Sequence, residues 1–199
     1  MLASGAGSNL QALLDDPLVG PWIKVVVSDQ PGAIALERAR ARDVKSVAMD
    51  TGNFRTRTDR DRWLSGALEG QGIEFVLLAG YMRILGPEVV RPFYQRILNV
   101  HPSLLPAFPG AHAVRDALEW GVKVTGATVH LVDEEVDHGP VVLQEPVLVL
   151  ADDDEHSLHL RIQAVEHRLF PQATRLLVEG RLRLEGRSVQ IMEEGSVRR

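Results

Sequence analysis

The stretch Phe75-Val76-Leu77-Leu78-Ala79-Gly80 is apolar along its length until it stops on a glycine. Side chains alternate across a strand, so a strand that is apolar at every position has both faces buried. Two similar runs lie on either side of it in the chain, Val25-Val26-Val27 and Ile97-Leu98-Asn99-Val100. Segments with the helical spacing of apolar residues separate them, at 34–42 and 63–68, and an earlier one covers 10–14. Parallel strands joined by helices on both sides need this pattern, because only that arrangement covers both faces. The first two-thirds of the chain is therefore predicted to be a doubly wound, mainly parallel α/β sheet.

After Trp120 the pattern changes. Residues 125–131 and 141–150 read as longer strands, an antiparallel pair joined by the acidic segment 133–139. Residues 152–180 read as one long helix, with Asp152-Asp153-Asp154 at its positive end, Gly180 as its stop and a kink expected at Pro171. Residues 182–185 and 189–192, around Gly186-Arg187, read as a short closing hairpin. The mixed charges of 56–62 read as a solvated helix face. With 199 residues and no internal repeat, one domain spanning 1–199 is expected.

Composition excludes several functions. The chain has 22 Lys+Arg against 27 Asp+Glu, and a formal net charge of -5 with no long basic run gives no footprint for a nucleic acid. No apolar run approaches the roughly 18 residues of a membrane span, and no charged-then-apolar leader is seen. The chain has 0 Cys, so disulfides, thiolate metal clusters and a cysteine nucleophile are excluded. A cytoplasmic protein acting on small molecules is expected.

Four places carry possible chemistry. In Ala3-Ser4-Gly5-Ala6-Gly7-Ser8-Asn9-Leu10, glycines let the backbone approach a phosphate, and Ser8 or Asn9 can cap the helix whose free N–H groups face it. The third glycine of a dinucleotide loop would fall at Leu10, and the Lys-Ser/Thr of a Walker loop is missing. Asp29, at the end of the second strand, keeps a nicotinamide cofactor open, and a plain strand-to-helix turn is the simpler alternative. In Asn99-Val100-His101-Pro102, the side chains of Asn99 and His101 share a face at the carboxyl end of a strand, where open α/β sheets bind ligands. An amide there can donate to an oxyanion, and an imidazole can exchange a proton near neutral pH. The third place is the acidic loop Asp133-Glu134-Glu135-Val136-Asp137-His138-Gly139-Pro140, whose carboxylates can orient His101 or bind a metal. The 7 His of the chain lack HxH, HxxxH and HExxH spacing, and His156 with His159 offers only an i, i+3 pair. The fourth is Gly80-Tyr81-Met82-Arg83-Ile84-Leu85-Gly86-Pro87, where apolar side chains suited to a core or to a flat ring surround one arginine.

Together these segments, with Gly126-Ala127-Thr128-Val129-His130 and Ser103-Leu104-Leu105-Pro106, resemble the glycinamide ribonucleotide formyltransferases of purine synthesis, from about Ala3 to Glu185. The resemblance implies the formyltransferase α/β fold, 10-formyltetrahydrofolate as co-substrate and no metal. It divides the chain into a phosphate-binding half, about 1–100, and a folate and catalytic half, about 101–199. Gly7, Ser8 and Asn9 would cradle the substrate phosphate, and Gln163 and Glu166 would hold its sugar or glycinamide end. The folate would lie against Arg57, Met82, Arg83, Ile84 and Leu85, beside Asn99 and the loop residues Asp133, Glu134, Glu135, Val136 and Asp137. Asn99, His101 and Asp137 would be catalytic: Asn99 donating to the oxyanion, protonated His101 stabilising it, and Asp137 raising the His101 pKa. The family has several apolar residues before the glycine loop where this chain has Met1, Leu2 and Ala3, so a stunted first strand or an upstream start is expected. A monomer or homodimer is implied. A folate hydrolase remains an alternative, although related deformylases carry an extra N-terminal domain and lack this loop. A transferase acting on charged tRNA would need a basic surface, and a nucleotide-binding module without chemistry would leave Asn99, His101 and Asp137 unexplained.

Overall fold

The computed structural model describes residues 1–193. Its central sheet is parallel in one half and antiparallel in the other. Strand β1 (Val25–Ser28) pairs in parallel with β2 (Lys45–Ala48), and β3 (Val76–Ala79) with β4 (Ile97–His101). Residues 1–3 join the two pairs, because Leu2 bridges Val27 on one side and Leu78 on the other. The Leu2 N–H donates to the Leu77 carbonyl at 2.8 Å, and the Ala3 N–H to the Val27 carbonyl at 3.1 Å. The short first strand thus takes a central place in the sheet, with Leu2 wholly buried. Strands β5 (Val124–Leu131) and β6 (Val141–Leu148) continue from β4 as the expected antiparallel pair.

The helices are α1 (Ser8–Asp15), α2 (Ile34–Arg40), α3 (Arg57–Glu69), α4 (Pro87–Val90), α5 (Ala113–Trp120) and α6 (Glu155–Val178). Alternation along the strands divides the core between them. Val26, Leu77, Leu98 and Val129 pack with α1, α2, α5 and α6 on one face. Val25, Val27, Val76, Leu78 and Ile97 pack with α3 and α4 on the other. Each wholly buried side chain of this kind, Leu98 or Phe93 for example, contributes roughly 1.5–3 kcal/mol. This is the doubly wound arrangement expected from the apolar runs.

Helix α6 begins at a capping box, in which Asp154 accepts from the Ser157 N–H, and it continues past Pro171. Beyond it, β7 (Leu182–Glu185) and β8 (Ser188–Ile191) form the expected hairpin. Helix α4 and strand β2, four residues each, are too short to show an apolar period in the sequence. Helix α5 does carry one, with Ala113, Val114 and Ala117 buried on one face, although it was not among the expected elements. Residues 56–62 differ from expectation: Arg60 and Asp61 are buried, because α3 turns this pair onto the chain following β3. The parallel strands bring the segments 4–7, 29–33, 80–86 and 102–112 together at one edge of the sheet, the carboxyl edge where such sheets place ligands.

Candidate functional site

At that edge Asn99 and His101 project from the same face of β4, and Asp137 reaches both. Asp137 Oδ1 accepts from Asn99 Nδ2 at 3.4 Å, and Oδ2 lies 3.4 Å from His101 Nδ1. Oδ2 also accepts from the Gly110 N–H at 2.8 Å. His101 Nε2 stands 2.8 Å from the Phe108 carbonyl, which fixes a proton on that nitrogen. Burial pulls the His101 pKa below the usual imidazole value, against the opposing charge of Asp137. The expected rise from Asp137 is present but smaller than the cost of desolvation. Burial pushes Asp137 up, but the neighbouring imidazoles of His130 and His101 and the Gly110 N–H outweigh it and hold its carboxyl below the usual range.

Sequence reasoning gave His130 no role. It lies directly opposite Asn99 in the β4–β5 register, next to a bulge at Val129/His130. Its Nδ1 donates to the Leu131 carbonyl at 2.8 Å, which leaves Nε2 to accept from Asn99 Nδ2 at 3.1 Å. Both hydrogens of the Asn99 amide therefore have partners here, and the 3.4 Å contact to Asp137 is the weaker one. The only sequence signal for His130 was its place in the quoted motif 126–130.

Two close approaches hold this group together. A Cβ on Gly139 would stand 1.8 Å from the Leu131 carbonyl oxygen, so only glycine lets the acidic loop close onto β5 and deliver Asp137. Behind His101, buried Thr128 donates to the Ser103 carbonyl at 2.6 Å and accepts from the Leu105 N–H at 3.1 Å.

In the glycine loop, Gly7 is the N-cap of α1 at φ 70°, and neither Ser8 nor Asn9 caps the helix with its side chain, contrary to expectation. The Asn9 amide is taken instead by Glu166, to which it donates at 2.8 Å. Burial raises the Glu166 pKa and the Asn9 hydrogen bond opposes that rise, while the buried Oδ1 of Asn9 has no partner. Gln163 lies one turn from Glu166 on α6 and contacts His159 Nε2 through its amide nitrogen at 2.9 Å. The phosphate-loop and sugar-end candidates thus meet, although 157 residues separate Asn9 from Glu166.

The segment after β3 divides in two. Met82 lines an open cavity of about 620 Å³ with Ser4, Gly5, Ala6, Gln30 and Ile34. The Met82 N–H donates to Ser4 Oγ at 2.9 Å. Arg83 donates through Nε to Asp29 at 2.8 Å, and Ser4 Oγ donates to the same carboxylate at 2.5 Å. Asp29, kept open as a ribose-binding acid, is thus buried and occupied by protein groups. Burial pushes its pKa up, but Ser4, Arg83 and Gln30 outweigh it and hold the carboxyl below the usual range. Ile84, exposed, and Leu85, buried, lie on the α3 side. There Arg57 Nη2 donates to the Leu85 carbonyl at 2.7 Å, and Arg60 Nη2 to the Ile84 carbonyl at 2.8 Å. Asp61, wholly buried, accepts from the Gly86 N–H at 2.7 Å and from Arg60 Nε at 2.8 Å.

In the acidic loop, Glu134, Glu135 and Val136 are exposed. Glu134 pairs with Arg91 at 2.8 Å, and Asp133 with His138 at 2.8 Å. Among the described residues, no group of three or more His, Asp or Glu side chains is placed to hold a metal, and no helix is long and apolar enough to cross a membrane. A smaller cavity, about 280 Å³, lies at the far edge of the sheet between the β7–β8 hairpin and the end of α6, away from Asn99 and His101.

Comparison with known proteins bears on the family and the fold. A family model described as formyl transferase matches residues 1–174. The phosphoribosylglycinamide formyltransferase of Mycobacterium tuberculosis is 46% identical over 204 residues, covering 96% of this chain and 92% of that protein. The trifunctional purine biosynthetic protein adenosine-3 of Drosophila melanogaster is 43% identical, and this chain, 90% of it matched, spans only 14% of that longer protein. Among solved structures, glycinamide ribonucleotide transformylase 1 from Symbiobacterium toebii superposes with a TM-score of 0.93 at 49% identity, over 96% of this chain and 92% of that one.

Proposed function

This chain belongs to the formyl transferase family, and on that premise we propose that it transfers the formyl group of 10-formyltetrahydrofolate to the primary amine of glycinamide ribonucleotide. The products are formylglycinamide ribonucleotide and tetrahydrofolate. The observation that carries the reading is the convergence of Asn99, His101 and Asp137 beside a glycine loop with unengaged N–H groups.

In this reading the amine attacks the formyl carbon directly. A carbon–nitrogen bond forms as the carbonyl electrons move onto oxygen. Asn99 gives up its long contact with Asp137 and donates to that oxyanion. His101, neutral at the start because burial favours that form, takes the proton leaving the amine. The imidazolium then has Asp137 beside Nδ1 and the Phe108 carbonyl at Nε2. When the intermediate collapses, the bond to the folate N10 breaks and N10 receives the proton that His101 took, which returns the imidazole to its neutral form. His130 keeps the Asn99 amide turned the right way by accepting one of its hydrogens.

Gly7, Ser8 and Asn9 cradle the phosphate, and Gln163 and Glu166 hold the sugar or glycinamide end. The folate lies against Arg57, Met82, Arg83, Ile84 and Leu85, with Asp133, Glu134, Glu135 and Val136 closing over it. The whole chain, 1–199, acts as one cytoplasmic domain, monomer or homodimer, on small molecules only and without a metal; residues 194–199 lie outside the described structure.

The test incubates pure protein with 10-formyltetrahydrofolate, with and without glycinamide ribonucleotide, following the folate spectrum and free formate. Folate turnover only with the ribonucleotide, and no formate, is expected. Formate release without it would replace the transferase by a hydrolase. Asn99→Ala and Asp137→Ala should each lower turnover by about 10²–10³ while leaving the fold intact. Wild-type turnover in either variant would remove that residue from the mechanism.

A further inference from the structure

Arg38, on α2, lies outside every motif quoted above, yet its Nε donates to the Ala6 carbonyl at 2.9 Å. Its Nη1 donates to Gln11 Oε1 on α1, also at 2.9 Å. The neighbouring carbonyls are engaged too: Gly5 accepts from the Ala35 N–H at 3.1 Å, and Gly7 from the Gln11 N–H at 2.9 Å. All these peptides are trans, and in a planar trans peptide the N–H points opposite to the carbonyl. Holding the Gly5 and Ala6 carbonyls on α2 therefore turns the Ala6 and Gly7 N–H groups away from α2. The Gly7 carbonyl points into α1, so the Ser8 N–H points out of that helix. Among the described residues no N–H from Gly5 to Asn9 donates to another protein group.

Without a restraint this orientation would be easily lost. Gly7 has no Cβ to oppose rotation of the Ala6–Gly7 peptide, and its φ of 70° is open to glycine in either hand. Arg38 holds that peptide at its carbonyl end. The same guanidinium places a full positive charge beside the loop, where backbone dipoles supply only partial ones.

We infer that Arg38 is a positioning residue for the ribonucleotide phosphate: it fixes the Ala6–Gly7 peptide with its N–H outward and adds a positive charge at the carbonyl end of that peptide. The inference rests on the formyl-transfer reading given above. It assigns to the phosphate loop a side chain from a different helix, and its effect is confined to substrates that carry a phosphate.

The experiment measures kcat and KM for glycinamide ribonucleotide and for the corresponding riboside without phosphate, using the whole chain. The wild type should prefer the ribonucleotide. In Arg38→Ala the ribonucleotide KM should rise about tenfold, with kcat, folate KM and the riboside kcat/KM all within about twofold of wild type. Arg38→Lys, which keeps the charge and loses the fork, should fall between the two. Gln11→Ala removes the second anchor and should move the ribonucleotide KM in the same direction by about threefold, which gives a reading even if Arg38→Ala folds poorly. Equal losses on both substrates, or a parallel rise in folate KM, would reduce Arg38 to a structural role and overturn the inference, as would no change at all. A wild-type enzyme indifferent to the phosphate would instead overturn the phosphate-loop reading before any variant is made.

Discussion

The glycine loop and the segment 84–86 both lie at the carboxyl edge of the sheet, one against α2 and the other against α3, and both have carbonyls tied back by arginines from the neighbouring helix. In the loop, Arg38 holds Ala6. In the segment, Arg57 and Arg60 hold Leu85 and Ile84. The difference lies behind the arginines. Arg38 is half-buried and answers to a neutral glutamine, whereas Arg60 is buried against Asp61, a carboxylate with no exposure that also takes the Gly86 N–H. One loop is therefore held lightly and leaves its N–H groups free, and the other is locked by buried charge. A loop meant to meet a phosphate needs unpaired donors, while a wall for a flat ring needs a fixed backbone.

The strongest way to break this comparison is Asp61→Ala. It leaves Arg60 buried without its carboxylate and the Gly86 N–H without an acceptor, a loss of about 3–5 kcal/mol for a broken buried pair. Urea unfolding should show it as a large fall in midpoint with unchanged slope. A loss under about 1 kcal/mol, the ordinary value of a surface ion pair, would mean that the segment is held no more firmly than the surface.

Gly7→Ala tests the other loop, with a smaller effect. At φ 70° a residue with a Cβ costs about 1–2 kcal/mol, and this Cβ would stand 2.8 Å from that of Ala35. The strain falls on the glycine loop and on the start of α2 against which it packs, not on the segment 84–86. The ribonucleotide KM should therefore rise while the folate KM holds, and a folate KM that rises as far would show the two loops to be one mechanical unit.

The sequence revealed these two regions unequally, for physical reasons. The glycine loop is local: Gly5, Gly7, Ser8 and Asn9 carry its geometry within five positions. Asn99 and His101 were equally legible, because strand alternation alone puts them on one face. Arg60 and Asp61 looked like one turn of a solvated helix, since their partners Ile84 and Gly86 lie 24 and 25 residues away. His130 sits in an apolar run, and only the β4–β5 register sets it opposite Asn99. The fold was legible because apolar runs and helical periods are local, whereas a long-range polar partner leaves no period in the chain.

The smallest effect concerns Glu166, the carboxylate that holds Asn9 of the glycine loop. Burial raises its pKa in the folded state, with Asn9 opposing only in part. A carboxyl whose folded pKa lies above its unfolded value binds its proton more tightly when folded. Its contribution to stability is thus fully present below the unfolded pKa and is lost as pH rises through the folded one. Glu166→Gln removes that titration, and its amide offers a donor for the unpartnered Oδ1 of Asn9. Unfolding free energy measured at a series of pH values should therefore decline more steeply in the wild type than in Glu166→Gln as pH rises above the ordinary glutamate range. Parallel curves would mean that Glu166 titrates alike in both states, and the light hold on the loop would then owe nothing to a buried charge.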